Sequence, residues 1–301
     1  MDEFGAIAAS AVPLAGGYGG ETFAVSAGGE DAVLKLYGRR PERAAVDLSL
    51  MRLVRGLLPV PRVLDAMPEP AGDGAPPYVL YERLPGVNLE TYLETAGDDE
   101  RRRVGEQLGE LLVLLSGMPF LSFGDFTGRE LAIRPFGVGE LADFFQEHAR
   151  EIGLTREQGE RIEAVIDETE ELAETGADRI CLVHSDFNPK NLLVDPETAR
   201  ITGLIDWEFA HAGSPYADLG NLLRFCADPV LGKAVLDVVR DGFDLGDRLV
   251  ERARAADLWA LIDLAARPAA NPVTAAANAL VKRIGDTGDL AGGRPDPDAV
   301  R

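Results

Sequence analysis

The first 85 residues carry the apolar and polar spacing of short strands around one helix. Residues 32–37, AVLKLY, alternate apolar and polar positions, which is typical of a half-buried strand. Residues 12–25 run from apolar through glycine-rich to alternating, and residues 78–84 are largely apolar, so both stretches predict strands. Between them, residues 41–57 place apolar side chains at helical spacing. The pattern predicts a small α+β lobe over residues 1–85.

The pattern becomes helical after residue 86. Apolar residues recur at helical spacing in six segments, 100–118, 139–152, 155–175, 231–243, 248–266 and 271–284. We expect a larger, mostly helical second lobe over residues 86–288. Residues 289–301 are rich in Gly, Pro and Asp, which is typical of a disordered tail. The predicted fold class is therefore α+β, with two lobes.

One segment interrupts the helical pattern. Residues 182–194, LVHSDFNPKNLLV, lead through a polar loop into a short strand, and residues 200–205 predict the returning strand of a hairpin. A hairpin brings its first and last residues side by side. Asn191 and Asp206 are therefore expected to be neighbours, with Asp186 one tight loop upstream. Carboxylate and amide oxygens suit Mg²⁺, which completes its shell with water and substrate phosphates.

The first lobe offers groups that suit those phosphates. In Gly16-Gly17-Tyr18-Gly19-Gly20, the backbone at Gly17 and Gly19 can approach a polyphosphate where side chains would obstruct. No Gly-Lys-Ser/Thr follows, and Thr22 breaks the G-x-G-x-x-G pattern, so this is neither a Walker A loop nor a dinucleotide fingerprint. Lys35, one of only four lysines, can reach phosphates from its strand if a carboxylate of the following helix holds it.

Together these parts resemble the aminoglycoside phosphotransferase family, within the wider group that shares the protein-kinase fold. The matching stretches are LVHSDFNPKNLLV, ITGLIDWEFAHAGSPYADLGNL, AVLKLY and LPVPRVL, and the resemblance runs from about residue 12 to 285. It implies a two-lobed protein-kinase-like fold and transfer of the γ-phosphoryl group of ATP, or of GTP, to a hydroxyl of a small molecule. The expected acceptor is an amino-containing antibiotic such as an aminoglycoside. Kinases of choline, homoserine, methylthioribose and macrolides share the fold and motifs and are the alternative.

The resemblance also implies residue roles. Asp186 corresponds to the catalytic aspartate, which takes the proton of the acceptor hydroxyl. Asn191 and Asp206 correspond to the Mg²⁺ ligands, and Lys35 to the lysine that binds the α- and β-phosphates. The backbone around Glu82, Arg83 and Leu84 is expected to bind adenine.

Other residues of these motifs have supporting roles or alternatives. The acid that pairs with Lys35 is usually a glutamate in this group. Here Asp47 is favoured by its distance to the LPVP turn, and Glu42 is the alternative. His184 is expected to orient the catalytic loop. Asp218 is expected to brace that loop or to cap the helix that starts near residue 219.

The composition of the chain argues against some classes of binding partner. The net charge of −21 argues against nucleic acid and anionic membranes as partners. It favours a cationic acceptor, or it reflects an acid-rich surface suited to a salty environment.

The two cysteines lack disulfide or zinc spacing, and the N-terminus lacks a signal-peptide pattern, so a cytoplasmic location is expected. The expected assembly is a monomer or homodimer. Few residues separate Asp206 from SPYADLG, which leaves no room for the regulated segment of a protein kinase.

Overall fold

The computed structural model describes residues 11–14, 21–70, 74–137, 139–174, 179–242, 248–268 and 271–294 of the 301-residue chain. The chain forms two compact units. The first comprises Met1–Gly97, Phe123–Pro135 and Asn188–Ala212, and the second comprises Asp98–Ser122, Phe136–Phe187 and Gly213–Arg301. The first unit thus also holds the hairpin after residue 188, which the sequence pattern placed in the second lobe.

A five-stranded antiparallel sheet forms the centre of the first unit. Its strand order is β1-β2-β3-β5-β4. The strands are β1 (Val12–Pro13), β2 (Glu21–Ala27), β3 (Glu30–Leu36), β4 (Val63–Met67) and β5 (Tyr78–Glu82). Lys35 lies on β3, opposite Thr22 on one side and Val79 on the other. The glycine-rich stretch with Gly17 and Gly19 lies outside the described residues.

Helix α1 (Arg43–Val54) packs against this sheet and buries eight of its side chains. It is shorter than the predicted segment 41–57, because Gly56 turns the chain with a φ of +82° directly after the helix. The burial of Asp47 and Arg43 among apolar neighbours on this helix marks a polar network inside the unit.

Two smaller sheets complete the first unit. The hairpin of β10 (Leu192–Asp195) and β11 (Arg200–Leu204) is extended by β6 (Val87–Asn88), in the order β11-β10-β6. A short helix, α2 (Leu89–Leu93), follows β6 and packs against β10. Strand β7 (Gly124–Thr127) pairs with β8 (Ala132–Arg134) and with β12 (His211–Gly213).

The second unit is mainly helical, as the sequence predicted. Besides strand β9 (Cys181–Val183), its elements are α3 (Asp98–Ser116), α4 (Leu141–Ile152), α5 (Arg156–Glu174), α6 (Ala217–Leu223), α7 (Pro229–Gly242), α8 (Leu249–Ala266) and α9 (Pro272–Thr287). Apolar side chains of α4, α5, α8 and α9 form its core, with Phe145, Ile166 and Ile262 almost fully buried. In the described residues, no helix combines the length and apolar character needed to cross a membrane.

The first six residues of the predicted tail over 289–301 are described in the structure. Residues 289–294 form turns, in which Gly292 N donates to Asp289 O and Arg283 Nε donates to Gly292 O. Leu290 packs against the helical core. The disordered tail over 289–301 stays a prediction. Residues 295–301 lie outside the described residues.

Candidate active site

Lys35 lies between two carboxylates in the first unit. Its Nζ is 3.6 Å from Asp47 Oδ2 on α1 and 3.4 Å from Asp206 Oδ1, beyond the end of β11. The lysine is buried, and Asp47 is more deeply buried still. Glu42, the alternative partner, instead forms an exposed ion pair with Arg40 at the start of the helix. The acid that pairs with Lys35 in the structure is therefore Asp47.

Two further side chains hold Asp47 in place. The Tyr37 hydroxyl donates a hydrogen bond of 2.8 Å to Asp47 Oδ2, and Arg43 Nε donates one of 2.9 Å to Oδ1. A terminal nitrogen of the Arg43 guanidinium also donates to the Trp207 carbonyl oxygen at 2.7 Å. Sequence reasoning missed both residues. The spacing of Arg43 and Asp47, four residues apart on a helix, was the available signal.

The electrostatics keep Lys35 charged. Burial favours the neutral amine, but the charges of Asp47 and Asp206 outweigh it and raise the pKa of Lys35 above its ordinary value. The pKa of Tyr37 is raised well above its ordinary value, first by burial and then by neighbouring Tyr81 and Asp47, so its hydroxyl remains a neutral donor. The result is a fixed, buried ammonium group suited to an anionic ligand.

A cavity of about 320 Å³ opens beside Lys35. Its charged lining residues are Lys35, Asp47, Glu82, Arg83 and Asp206, and apolar side chains including Val33, Tyr81, Leu84, Leu193 and Ile205 supply most of the rest. Its volume and its apolar walls with a few convergent polar groups are typical of small-molecule sites. Five residues that were expected to contact the nucleotide or metal therefore line one cavity within the first unit. They are Lys35, Glu82, Arg83, Leu84 and Asp206.

The backbone after β5 offers a hydrogen-bond donor to the cavity. Glu82 N and Arg83 N donate to the carbonyl oxygens of Arg62 and Asp31. In the described part of the chain, by contrast, Leu84 N–H has no hydrogen-bond partner. The Glu82 carboxylate is held by Arg62, through both its backbone N–H and its Nε. A backbone donor beside an apolar cavity suits the edge of a planar heterocycle.

The hairpin places Asn191 beside Asp206, as expected. Leu192 pairs with Leu204, and Ile205 N donates to the Asn191 carbonyl oxygen at 2.9 Å. Asn191 is buried, and Asp206 has the left-handed φ of +64° that is uncommon outside glycine and asparagine. Within the described residues, no cluster of three or more His, Cys, Asp or Glu side chains forms a metal site by itself. One carboxylate and one amide fit Mg²⁺, because this ion keeps water and substrate phosphates as its other ligands.

Asp186 lies in the second unit, in a loop that a buried carboxylate braces. Asp218 Oδ2 accepts a hydrogen bond from His184 N and Oδ1 accepts one from Ser185 N, both at 2.8 Å. Asp186 N in turn donates to His184 Nδ1 at 3.3 Å. Ser185 has a φ of +68° and His184 is fully buried, so the loop has one tightly defined course. Of the two expected roles of Asp218, the structure shows the bracing one.

The environment of Asp218 perturbs its titration. Burial raises the pKa of its carboxyl group from 3.8 to about 7, although the hydrogen bonds from the two backbone N–H groups act in the opposite direction. Helix α6, which carries Asp218, packs so closely on α8 that a Cβ at Gly220 would collide with the carbonyl oxygen of Ala253.

Comparisons with known proteins identify the family and the fold of this chain. Residues 10–258 match the phosphotransferase enzyme family. An aminoglycoside 3'-phosphotransferase of Streptomyces ribosidificus is 31% identical over 232 residues, which cover 73% of this chain and 82% of the relative. Aminoglycoside phosphotransferase APH(4)-Ia, solved as a thermostable mutant in a ternary complex with ADP and hygromycin B, is similar with a TM-score of 0.66 and 21% identity. The match covers 98% of this chain and 97% of that one.

A second solved structure has the same fold. Aminoglycoside 2'-phosphotransferase-IIIa, as a mutant in complex with GDP, has a TM-score of 0.70 at 19% identity and covers 94% of both chains. The α+β, protein-kinase-like fold expected from the sequence is thereby confirmed. The family match spans most of the chain, and its members transfer phosphoryl groups to hydroxyl acceptors on small molecules. The chain accordingly belongs to the aminoglycoside phosphotransferase family of phosphotransferase enzymes.

Proposed function

We propose that this enzyme transfers the γ-phosphoryl group of ATP or GTP to a hydroxyl of an aminoglycoside. The observation that carries the proposal is the placement of Lys35 between Asp47 and Asp206 in an apolar-walled cavity. A buried ammonium group fixed by two acids suits the α- and β-phosphates, and Leu84 N–H suits the edge of the base. The glycines at 17 and 19 are proposed to contribute backbone contacts to the phosphates.

The proposed metal is Mg²⁺, held by Asn191 and Asp206. Bound there, it would supply neutralisation of the charge that develops on the phosphates. Asp206 has a second role in this scheme, because its carboxylate also contacts the Lys35 ammonium group. Asp206 would thus hold both the metal ion and the Lys35 ammonium group near the phosphates.

Asp186 is proposed to orient the acceptor hydroxyl and to take its proton. The acceptor oxygen forms the new bond to the γ-phosphorus, the bond from that phosphorus to the oxygen of the leaving nucleoside diphosphate breaks, and the proton passes to the Asp186 carboxylate. His184 and Asp218 do not contact the acceptor in this scheme. They position Asp186 through the backbone hydrogen bonds of its loop.

The choice of acceptor rests on the similarity to known relatives and on the net charge of the chain. Aminoglycosides are named as acceptors of the relatives, and one solved relative was bound to the aminoglycoside hygromycin B. The net charge of −21 would attract a polycationic acceptor.

Solved relatives contain ADP or GDP, so both ATP and GTP are proposed as donors. The two free thiols, Cys181 and Cys226, suit a cytoplasmic enzyme, and we propose a monomer or homodimer.

A phosphate-transfer screen tests the acceptor. Purified enzyme with Mg²⁺ and either ATP or GTP is supplied with aminoglycosides, macrolides, choline, homoserine and methylthioribose, at low and high salt. We expect turnover with aminoglycosides, and a KM for them that rises with salt as the charges are screened. Turnover confined to choline, homoserine or methylthioribose would reject the aminoglycoside as acceptor and favour a metabolite kinase of the same family.

A further inference from the structure

A second cavity in the first unit carries an excess of positive charge. It measures about 510 Å³ and lies beside the C-terminal half of α1 and strand β4. Three arginines line it, Arg52, Arg55 and Arg129, and Asp65 is the one acid among the described lining residues. In a chain with 51 acidic and 30 basic residues, such a local excess of arginine runs against the average composition.

Two of these arginines have side chains without a partner in the described structure. In the described structure, the side chains of Arg52 and Arg55 make no hydrogen bond and no ion pair, and both residues are exposed. Arg129 contacts Glu69 at 3.0 Å, but both side chains are more than half exposed, and such a surface pair contributes little. The carboxylate of Asp65 already accepts a hydrogen bond of 2.7 Å from the Tyr78 hydroxyl.

The position of Arg52 and Arg55 near a helix end does not fully explain the cluster. The C-terminal end of a helix attracts positive side chains, and Arg52 lies in the last turn of α1. That effect does not reach Arg129, which follows β7 in another part of the chain. Three arginines from two distant segments therefore converge on one cavity.

The remaining wall of the cavity is apolar. Leu48, Met51 and Leu64 contribute to it, and Leu64 is 40% exposed. The volume lies in the range typical of small-molecule sites, roughly 300–1,000 Å³. Arginine favours carboxylate, sulfonate and phosphate groups, which its planar guanidinium can bind with two parallel hydrogen bonds. A ligand with an apolar body and one such group would satisfy both parts of the wall.

We propose that this arginine cavity is a second binding site, which takes a small organic anion with an apolar body. Its acidic group is held by Arg52 and Arg55, with Arg129 nearby, and its body contacts Met51 and Leu64. The site is separate from the cavity beside Lys35, although Met51 and Pro61 line both. It does not depend on the proposed acceptor or nucleotide.

The test uses 1-anilinonaphthalene-8-sulfonate, a fluorescent probe with an aromatic body and one anionic group. Because the cavity beside Lys35 is also apolar, the titration is done in saturating ADP and is repeated without it. The variant Arg52→Gln/Arg55→Gln is compared with Arg39→Gln/Arg103→Gln. The control also removes two exposed arginines whose side chains have no partner in the described structure, so the net charge changes equally. Circular dichroism checks that each variant is folded.

In saturating ADP, we expect the Arg52/Arg55 variant to bind the probe about tenfold more weakly or worse, because it loses the charge-assisted hydrogen bonds that the two arginines donate to the anionic group. The control should bind as the wild type does, and Leu64→Gln should also weaken binding. Equal dissociation constants in the two double variants would overturn the proposal, as would loss of all probe binding when ADP is added. Probe binding that ADP leaves unchanged and that the Arg52/Arg55 variant weakens would support the proposal, because the arginine cavity is separate from the cavity beside Lys35.

Discussion

Arg43 and Asp47 form a buried ion pair one helical turn apart, with a distance of 2.9 Å between Nε and Oδ1. The same guanidinium donates to the carbonyl oxygen of Trp207, the residue after Asp206. One arginine therefore fixes the helix acid and the segment that carries the hairpin acid, and these two acids flank Lys35. The relative position of the two carboxylates depends on Arg43 as much as on the fold of the backbone.

Replacing Arg43 should cost both stability and nucleotide affinity. In Arg43→Met, buried carbonyl oxygens lose their donor and Asp47 loses one cation, so we expect the free energy of unfolding to fall by about 3 kcal/mol or more. The KM for ATP should rise, because Asp47 and Asp206 are no longer held together. Urea unfolding and steady-state kinetics measure the two effects.

Tyr37→Phe is the matched control, because it removes the hydroxyl that donates to the same Asp47, together with its longer contact of 3.4 Å to the Tyr81 hydroxyl, and leaves Arg43 in place. It should cost only about 1 kcal/mol. An Arg43→Met variant no less stable than Tyr37→Phe would contradict the role given to the guanidinium.

In the second unit, Arg224 and Asp257 form a bidentate pair in which both side chains are almost fully buried. Asp257→Ala leaves a buried guanidinium without its carboxylate, and should lower the free energy of unfolding by about 3–5 kcal/mol. The double variant Arg224→Met/Asp257→Leu should recover much of that loss, because apolar residues of similar size avoid burying any charge. Chemical denaturation of the three proteins checks both statements. If the double variant were as unstable as the single one, packing rather than the unpaired charge would account for the loss.

The buried Asp218 predicts a specific dependence of stability on pH. Its pKa is raised from 3.8 to about 7 in the folded state, so between these values the folded protein keeps a proton that the unfolded chain has lost. Its contribution to the free energy of unfolding therefore decreases as pH rises from about 4 to about 7, by an amount on the order of 4 kcal/mol.

Asp218→Asn should lack this contribution, although it also loses one acceptor of the loop. The slope of unfolding free energy against pH should thus be less negative in Asp218→Asn than in the wild type. Asp167→Asn, an exposed acid on α5, serves as the control and should keep the wild-type slope. Parallel slopes for wild type and Asp218→Asn would mean that Asp218 is ionised throughout this range.

Local sequence signals were enough for much of the fold and part of the site. The hairpin that places Asn191 beside Asp206 follows from two short apolar runs around a turn, because strand register is local. The Lys35–Asp47 pair follows from a strand and helix adjacent in sequence. Interactions between distant segments were not predictable in this way. Arg224 and Asp257 are 33 residues apart, and Arg43 and Trp207 are 164 apart, so only the folded chain brings them together.

The most direct test of the central claim is single-turnover phosphoryl transfer by Asp186→Ala, measured with its affinity for ADP and Mg²⁺. Asp167→Ala, which removes an exposed acid, is the control. If Asp186 takes the acceptor proton, the variant should bind nucleotide nearly as the wild type does, while transfer to an aminoglycoside falls about a thousandfold or more. Near-native transfer by Asp186→Ala would contradict the account, because the reaction would then need no base at that position.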